Sequence, residues 1–599
     1  MVYHIPLMVE AICASGIPPR DIRRDVCIER FRPSARACEA AAVPVRDVRN
    51  APPGRPAPAR NGSAPTPTSA APASTGALAQ NPPMPPTPDR SAAARRWTLA
   101  SAILGSSMAF MDGTVVNVAL PAIQRGLDAS GADAQWVVEA YALFLSALLL
   151  VGGALGDRFG RKRVYVIGVA MFVATSAACA AADSTGLLIA ARALQGVGAA
   201  LLVPGSLALL GAGFPAAERG RAIGTWSACS GIAAAIGPVV GGALVDHASW
   251  RWAFLLNLPI GALLLFVTLP RVPESRGDDA PGPLDLAGAA SATLGLAGVV
   301  FALIEAPARG WGAPAVFASG LAGIAALAAF AWIEARGHAP MMPPALFRQR
   351  DFAGANLLTL LLYAALGGSL YFVPLNLIQV QGWTATAAGA ALLPFIVIMA
   401  GLSRAAGALA DRLGARIPLV AGPAIAAAGF AAFALPGVGA SYWSGFFPAI
   451  CILGLGMTVT ITPLTTTVMN AVGEALAGTA SGINNAVSRT AGLLAIAALG
   501  AVLAGVFDVQ LHSRLAAAKL PADVAAQVEA QRHKLAAIAP PEGAAPAAAQ
   551  QVKQAVGGAF VDGFRAVMLV SAGLALASAV SAWFMIAGRA PQRKGGTHG

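Results

Sequence analysis

The sequence predicts an all-α polytopic membrane protein, with fourteen spanning helices in two six-helix halves and two additional helices between them. Three observations lead there. Of 599 residues, 56% are hydrophobic and only 12% charged, whereas a soluble chain carries about 25% charged residues. From residue 97 onward, apolar stretches recur, each near the roughly 20 residues needed to cross a hydrocarbon core. A ten-residue motif then returns 254 positions later, from Gly153 to Gly407.

The first 94 residues are different material, rich in proline and arginine and without lysine. Such a segment buries too little apolar surface to offset its ordering entropy, so 1–94 is expected to be a disordered basic tail. The shift in composition raises a second expectation, that translation starts at Met84. The first span, 97–120, then follows Arg95-Arg96 and closes at Pro121.

The second span, 135–155, stops before Asp157-Arg158, and the third, 164–182, follows Arg161-Lys162-Arg163. Spans 186–210, 221–245 and 251–269 complete a first half over 97–269, with charged turns at Glu218-Arg219 and Asp246-His247. The inserted pair, 284–304 and 313–333, lies within 284–333 and turns at Arg309-Gly310. The second half, 352–588, holds spans 352–378, 385–409, 417–437, 442–468, 480–506 and 563–588. Between its last two spans lies a polar, alanine-rich external segment, 508–562. Leu511–Leu520 and Val524–Ile538 are expected to be short amphipathic helices there, with Pro540, Pro541 and Pro546 as helix breakers in the remainder. Residues 589–599 form a cytoplasmic tail.

Charge orients the bundle. Apart from that external segment, the short loops on one side carry only Arg125, Arg251 and Arg309, while lysine and arginine gather on the other. Cytoplasmic loops carry that excess, so both termini are expected in the cytoplasm of a cell whose inner membrane holds the chain. The net charge of +12 follows from the same rule and does not call for nucleic acid. The six cysteines, Cys13, Cys27, Cys38, Cys179, Cys229 and Cys451, form no metal-ligand spacing. No glycine-rich loop ends in Gly-Lys-Ser/Thr, so ATP is not the expected energy source. No nucleophile and base stand paired, so an enzyme is not expected.

Asp112 is the most informative residue. It lies inside the first apolar stretch, where a carboxylate costs about 2.5–3.5 kcal/mol on insertion scales and marks function by default. Glu139 and Arg192 sit at comparable depth, roughly 6–12 Å from the outer surface at 1.5 Å per residue. The three are expected to form a buried charge cluster that exchanges a proton. Its structural counterpart is a plain ion pair.

The repeat reads Gly153-Ala154-Leu155-Gly156-Asp157-Arg158-Phe159-Gly160-Arg161-Lys162 and Gly407-Ala408-Leu409-Ala410-Asp411-Arg412-Leu413-Gly414-Ala415-Arg416, matching at six of ten positions. Two parallel six-helix halves place a substrate site between them at the bilayer midplane. Gly237-Pro238, Gly241 and Gly242 put a breaker and close-approach residues into the fifth span. Tyr141, Phe144, Asn356, Tyr363, Tyr371, Asn376 and Arg489 are candidate substrate-facing groups. Packing between helices is the plainer reading for all but Arg489, which stands at even odds. Arg404 reads as a snorkelling side chain.

With these motifs the chain closely resembles the major facilitator superfamily, and within it the fourteen-helix drug:proton antiporters of the EmrB/QacA type, over residues 97–588. The first-span signature is matched by Asp112, Thr114, Asn117, Ala119, Leu120 and Pro121. The loop motif is matched by Gly153, Asp157, Arg158, Gly160, Arg161 and Lys162. The fourth-span motif is matched by Leu188, Arg192, Gln195, Gly196, Gly198, Ala199 and Ala200. The antiporter motif is matched by Gly224, Gly237, Pro238, Gly241 and Gly242, with Ala233 where the family usually has glycine. Trp250-Arg251-Trp252-Ala253-Phe254, Asn257 and Pro259 resemble the usual start of the sixth span.

The resemblance implies a proton-coupled exporter of amphipathic, cationic or aromatic compounds, powered by the proton gradient and without a cofactor. It implies that Arg192 serves proton transfer. It also implies that Asp157 meets a helix of the other half, and that Arg158, Arg161 and Lys162, with Asp411 and Arg412 of the repeat, latch one state. A dedicated exporter of one natural product, lipid or metabolite is the alternative, and a membrane receptor using the basic tail is a more distant one. Beyond substrates, protons and lipid, the resemblance allows a periplasmic adaptor and an outer-membrane channel as partners in a cell with two membranes.

Overall fold

The computed structural model describes residues 90–277, 285–337, 340–472 and 476–588. The first half comprises α1 (Arg90–Leu127), α2 (Gly131–Phe159), α3 (Arg161–Ala181), α4 (Thr185–Gly213), α5 (Ala216–His247) and α6 (Trp252–Arg271). The hairpin of α7 (Leu286–Arg309) and α8 (Pro314–Arg336) follows. The second half comprises α9 (Arg350–Val380), α10 (Ala385–Leu413), α11 (Arg416–Phe433), α12 (Tyr442–Asn470), α13 (Ala477–Ala517) and, after the short α14 (Ala522–Ala530), α15 (Pro546–Met585). Among the described residues, fourteen helices are long and apolar enough to cross a membrane, and none is a strand.

Local chemistry sets the ends. A capping box starts α2: Ser130 Oγ accepts from the Asp133 amide at 3.0 Å, and Asp133 Oδ2 accepts from the Ser130 amide at 2.9 Å. Gly160, at φ +111°, separates α2 from α3 in a conformation that disfavours a Cβ. Asp285 caps α7 through the Gly288 amide at 2.7 Å.

The first span does not close at Pro121, which lies inside α1 and is followed by helix to Leu127, and two further boundaries differ from the expectation. Residues 90–94, assigned to the tail, form the first turn of α1. The remaining tail residues 1–89 and residues 589–599 lie outside the described residues. The external segment 508–562 is far shorter as a connection, because α13 continues to Ala517 and α15 begins at Pro546. Leu511–Leu520 is therefore mainly the end of α13, while Val524–Ile538 divides between α14 and a 3₁₀ turn, Arg532–Ala537. Pro546 starts a helix instead of breaking one, since a first-turn residue needs no amide hydrogen. Where α13 and α15 project together, their charges pair: Asp562 bonds Arg514 of α13 and, at 3.1 Å, Arg565 of α15.

The inserted hairpin is not equally engaged. Leu296, Val300 and Ile304 of α7 pack with Leu143 of α2 and with Leu493 and Ala497 of α13, filling one seam between the halves. In contrast, α8 rests on α7 through Gly298 and Gly323 and turns Phe317, Leu321, Ile324 and Trp332 outward, a surface suited to lipid.

The halves meet mainly at the end opposite the repeated motifs. There Gln379 donates to Gln124 at 2.7 Å, and the Asp246 carboxylate accepts from the Ala385 and Thr386 amides at 3.0 and 2.8 Å. In the same region Lys534 pairs with Asp128 at 2.6 Å. α5 packs closely on the short first segment of α10, Ala385–Ala391, and barely meets the rest of that helix. The side-chain hydrogen bonds that join the halves thus gather at this end.

Candidate functional site

Asp112 of α1 is fully enclosed, and four other helices supply its surroundings. Arg192 of α4 donates through Nη1 to Asp112 Oδ2 at 2.6 Å and to Gln195 Oε1 at 2.7 Å. The other carboxylate oxygen, Oδ1, accepts from Gln195 Nε2 at 3.0 Å and Asn257 Nδ2 at 2.8 Å. Ser176 Oγ of α3 joins Asn257 at 2.9 Å and donates to the Phe254 carbonyl at 2.9 Å. Arg192 Nε reaches the Val137 carbonyl of α2 at 3.0 Å, and its guanidinium lies 4.3 Å from the centre of the Tyr141 ring.

The backbone makes this convergence achievable. α6 keeps right-handed helical angles through Leu256 and presents Asn257 and the Phe254 carbonyl to the network. Gly196 and Gly198 let α4 approach α2 and α3: an added Cβ at Gly196 would press on the Tyr141 carbonyl, and one at Gly198 would lie 2.8 Å from the Phe172 nitrogen. A buried charge survives when paired and hydrogen-bonded, and Asp112 has both.

The expected three-member cluster is in fact two separate sites. Glu139 is fully buried, yet neither of its carboxylate oxygens has a hydrogen-bond partner among the described residues. The reason is helical phase. Val137 and Tyr141, four residues apart, share the α2 face that meets Arg192. Glu139, two residues from each, points the opposite way.

Other candidates distribute unevenly. Asn356 is buried and bonded to Asn484 of α13 at 3.2 Å, while Asn376 accepts from Gln381 at 3.2 Å. Phe144 packs at the seam filled by α7, and Tyr363 and Tyr371 belong to the main apolar core. For these five the structure shows contacts inside the protein, local for Asn376 and between helices for Asn356. Tyr141 supports Arg192. Arg489 of α13 reaches across the seam, with its guanidinium 5.5 Å from the Phe110 ring of α1.

The loop motif binds within its own half in this conformation. Asp157 Oδ1 accepts from Arg161 at 2.8 Å, and the Asp157 carbonyl accepts from the Gly277 amide at 3.2 Å. Lys162 Nζ reaches the Leu269 carbonyl at 2.7 Å. Glu274, which sequence reasoning does not single out, caps α3 through the Lys162 and Arg163 amides at 2.9 and 3.2 Å. Arg158 lies over Phe159, Gly153 faces Pro204, and Asp411 and Arg412 are exposed at the end of α10. In the antiporter motif, Gly237 and Gly241 face Thr114 and Val115 of α1, Gly242 faces Ala385 across the seam, Pro238 backs Gly389, and Gly224 has open space.

Gln195 and Asn257 belong to recognised motifs that assign them no role, and nothing in the sequence singles out Ser176. Their signal is faint: single neutral polar residues in apolar spans.

Comparison with known proteins agrees with the architecture. Residues 102–496 match the family model described as Major Facilitator Superfamily. The chain is 37% identical over 452 residues to the multidrug resistance protein Stp of Mycobacterium tuberculosis, covering 74% of this chain and 80% of that protein. It is 33% identical over 508 residues to the tetracenomycin C resistance and export protein of Streptomyces glaucescens, covering 83% and 93%. It is 36% identical over 415 residues to the puromycin resistance protein pur8 of Streptomyces alboniger, covering 69% and 82%. Among solved structures, an inward-facing, unoccupied bacterial homolog of the human lysosomal transporter Spinster aligns with a TM-score of 0.57 at 16% identity, covering 82% of this chain and 97% of that one. This is a multi-pass membrane transporter of small substrates and not an enzyme, and the chain belongs to the Major Facilitator Superfamily.

Proposed function

We propose that the protein is a proton-coupled antiporter that exports amphipathic drugs or toxic compounds across a bacterial cytoplasmic membrane by alternating access. Both termini and the repeated motifs would face the cytoplasm, by the distribution of basic residues. The observation that carries the reading is the enclosed Asp112 carboxylate, held by Arg192, Gln195 and Asn257 in the membrane interior. Drug- and antibiotic-resistance relatives support the cargo class.

In this orientation the end that carries the repeated motifs opens inward and receives substrate, while the joined end seals the outside. Opening outward breaks the Gln124–Gln379 contact and hydrates the seam beside Glu139. A closed, unpartnered environment suits the neutral acid and a hydrated one suits the carboxylate, so Glu139 exchanges its proton as the seam opens. Asp112 exchanges its own when Arg192 shifts. On release from its own half, the Asp157 motif latches against the other. The proton gradient supplies the energy, without a cofactor.

Dye accumulation in a pump-deficient host tests this, with a panel of cationic, neutral and anionic aromatic dyes. Expression should lower accumulation of some dyes, and a protonophore should abolish the difference. Export that persists undiminished with the protonophore would exclude proton coupling.

A second reading, export of a single natural product, is favoured by relatives named for one antibiotic each, including the methylenomycin A resistance protein of Bacillus subtilis. Substrate breadth in the dye panel separates the two.

A further inference from the structure

Arg489 is a cation without an anion. It lies well inside α13, in the membrane part, and is only partly buried. Among the described residues it joins no ion pair and makes no hydrogen bond. Its guanidinium lies 5.5 Å from the centre of the Phe110 ring. Charged side chains in membrane interiors pair with one another or with carbonyls, or else mark substrate pathways.

The nearby acid is already committed. Asp112 is saturated by Arg192, Gln195 and Asn257, and Glu139 lies on the opposite face of α2 from Tyr141. Arg489 therefore adds positive charge to a membrane interior whose buried pair, Asp112 and Arg192, is already neutral. The exposed side of α13 continues the polar character one turn earlier with Asn485. An aromatic ring borders the charge, that of Phe110.

We propose that Arg489 is the anion-binding residue of the substrate site, and that the cargo is an amphipathic aromatic anion bearing a carboxylate or phenolate. The guanidinium fork matches a carboxylate with two donors, and the Phe110 ring accepts the apolar body. This rests on the exporter reading for its transport step and departs from the cationic cargo that the family resemblance implies. A cationic drug would meet Arg489 with like-charge repulsion in a medium that screens it weakly.

Fluorescein and rhodamine 123, which share a ring system and differ in charge, are suitable probes. Their binding to the purified full chain is read by fluorescence anisotropy for wild type, Arg489→Gln and Arg489→Lys, all first shown to be monodisperse. Wild type should bind fluorescein more tightly than rhodamine 123. Arg489→Gln should weaken fluorescein binding about tenfold or more, the scale of a lost charge-assisted hydrogen bond. It should leave rhodamine 123 unchanged or bound more tightly, and Arg489→Lys should keep part of the fluorescein affinity. Equal fluorescein affinity in wild type and Arg489→Gln, absence of saturable fluorescein binding, or a wild-type preference for rhodamine 123 would overturn the anion site. So would parallel loss of both dyes in the glutamine and lysine variants. Proteoliposomes with an imposed proton gradient then separate the two readings. Fluorescein that binds through Arg489 but is not moved leaves the anion site standing and overturns the exporter.

Discussion

The Arg192 guanidinium lies 2.6 Å from the Asp112 carboxylate, and both side chains are almost wholly shielded from solvent. Removing one partner of such a pair leaves an uncompensated charge and costs about 3–5 kcal/mol. Asp112→Asn should therefore destabilise the protein by that order and abolish proton-driven export, while dye binding persists at low temperature. Combining it with Arg192→Gln removes both charges and should recover part of the stability, a coupling of about 0.5–3 kcal/mol. Thermal unfolding of the four proteins in a double-mutant cycle measures this. Additive losses would mean that the pair does not act as a unit.

Glu139 makes a different prediction because nothing bonds its carboxyl group. Glutamine has the same shape and no proton to release. Glu139→Gln should fold with a stability change within about 0.5 kcal/mol, since no paired charge or hydrogen bond is lost. Its export rate should lose dependence on external pH. A pH profile identical to wild type would remove Glu139 from the coupling and leave it as a seam residue.

The contrast between these two acids shows what is legible in the sequence. Charges inside apolar runs identify Asp112, Glu139 and Arg192, and the repeat at Gly153 and Gly407 reveals the two halves. The separation of Glu139 from the pair is also readable, from its phase relative to Val137 and Tyr141, whereas depth alone groups the three. Ser176 and the bonding role of Asn257 are not readable, because a lone neutral polar residue in a span carries no sign of its partner. The ends of α13 and α15 are hidden for another reason. Asp508, Arg514, Asp562 and Arg565 look like loop residues until Arg514 and Arg565 are seen to share Asp562.

The connection between α13 and α15 reaches over the joined end, where Lys534 bonds Asp128 at 2.6 Å. This contact holds the Asp128 carboxyl below its ordinary value of 3.8. A depressed carboxylate contributes above its unfolded value and loses that contribution as pH falls through its folded one. The segment 532–538 should therefore stay docked at neutral pH and loosen below about pH 4. High salt should have a smaller effect in the same direction, because Asp128 is exposed. Hydrogen exchange of these amides reads the change, and Lys534→Ala at neutral pH should reproduce the acid behaviour. Equal protection in wild type and variant would show that apolar contacts, including Leu535 against Gly131, hold the segment alone.

The antiporter-motif glycines differ in what a methyl group would strike, and this gives a prediction about conformation. At Gly242 an added Cβ would meet the Ala385 backbone of the opposite half, whereas at Gly241 it would meet Val115 within the same half. At Gly224 it meets open space. Gly242→Ala should disfavour the joined end specifically, because the obstruction vanishes once the halves part there. Gly241→Ala should weaken α1 against α5 in either state, at a cost of about 1–3 kcal/mol for an overpacked contact. Gly224→Ala should be tolerated, and alanine's higher helix propensity gives it a small stabilising tendency. Disulfide trapping between cysteines placed at Gln124 and Gln379 reports the joined end directly. Trapping should fall in Gly242→Ala and stay near wild type in Gly224→Ala. Gly241→Ala should lower the melting temperature without a matching loss of trapping. If Gly241→Ala and Gly242→Ala reduced trapping equally, the motif would act through general tightness of α5 and not through its contact across the seam.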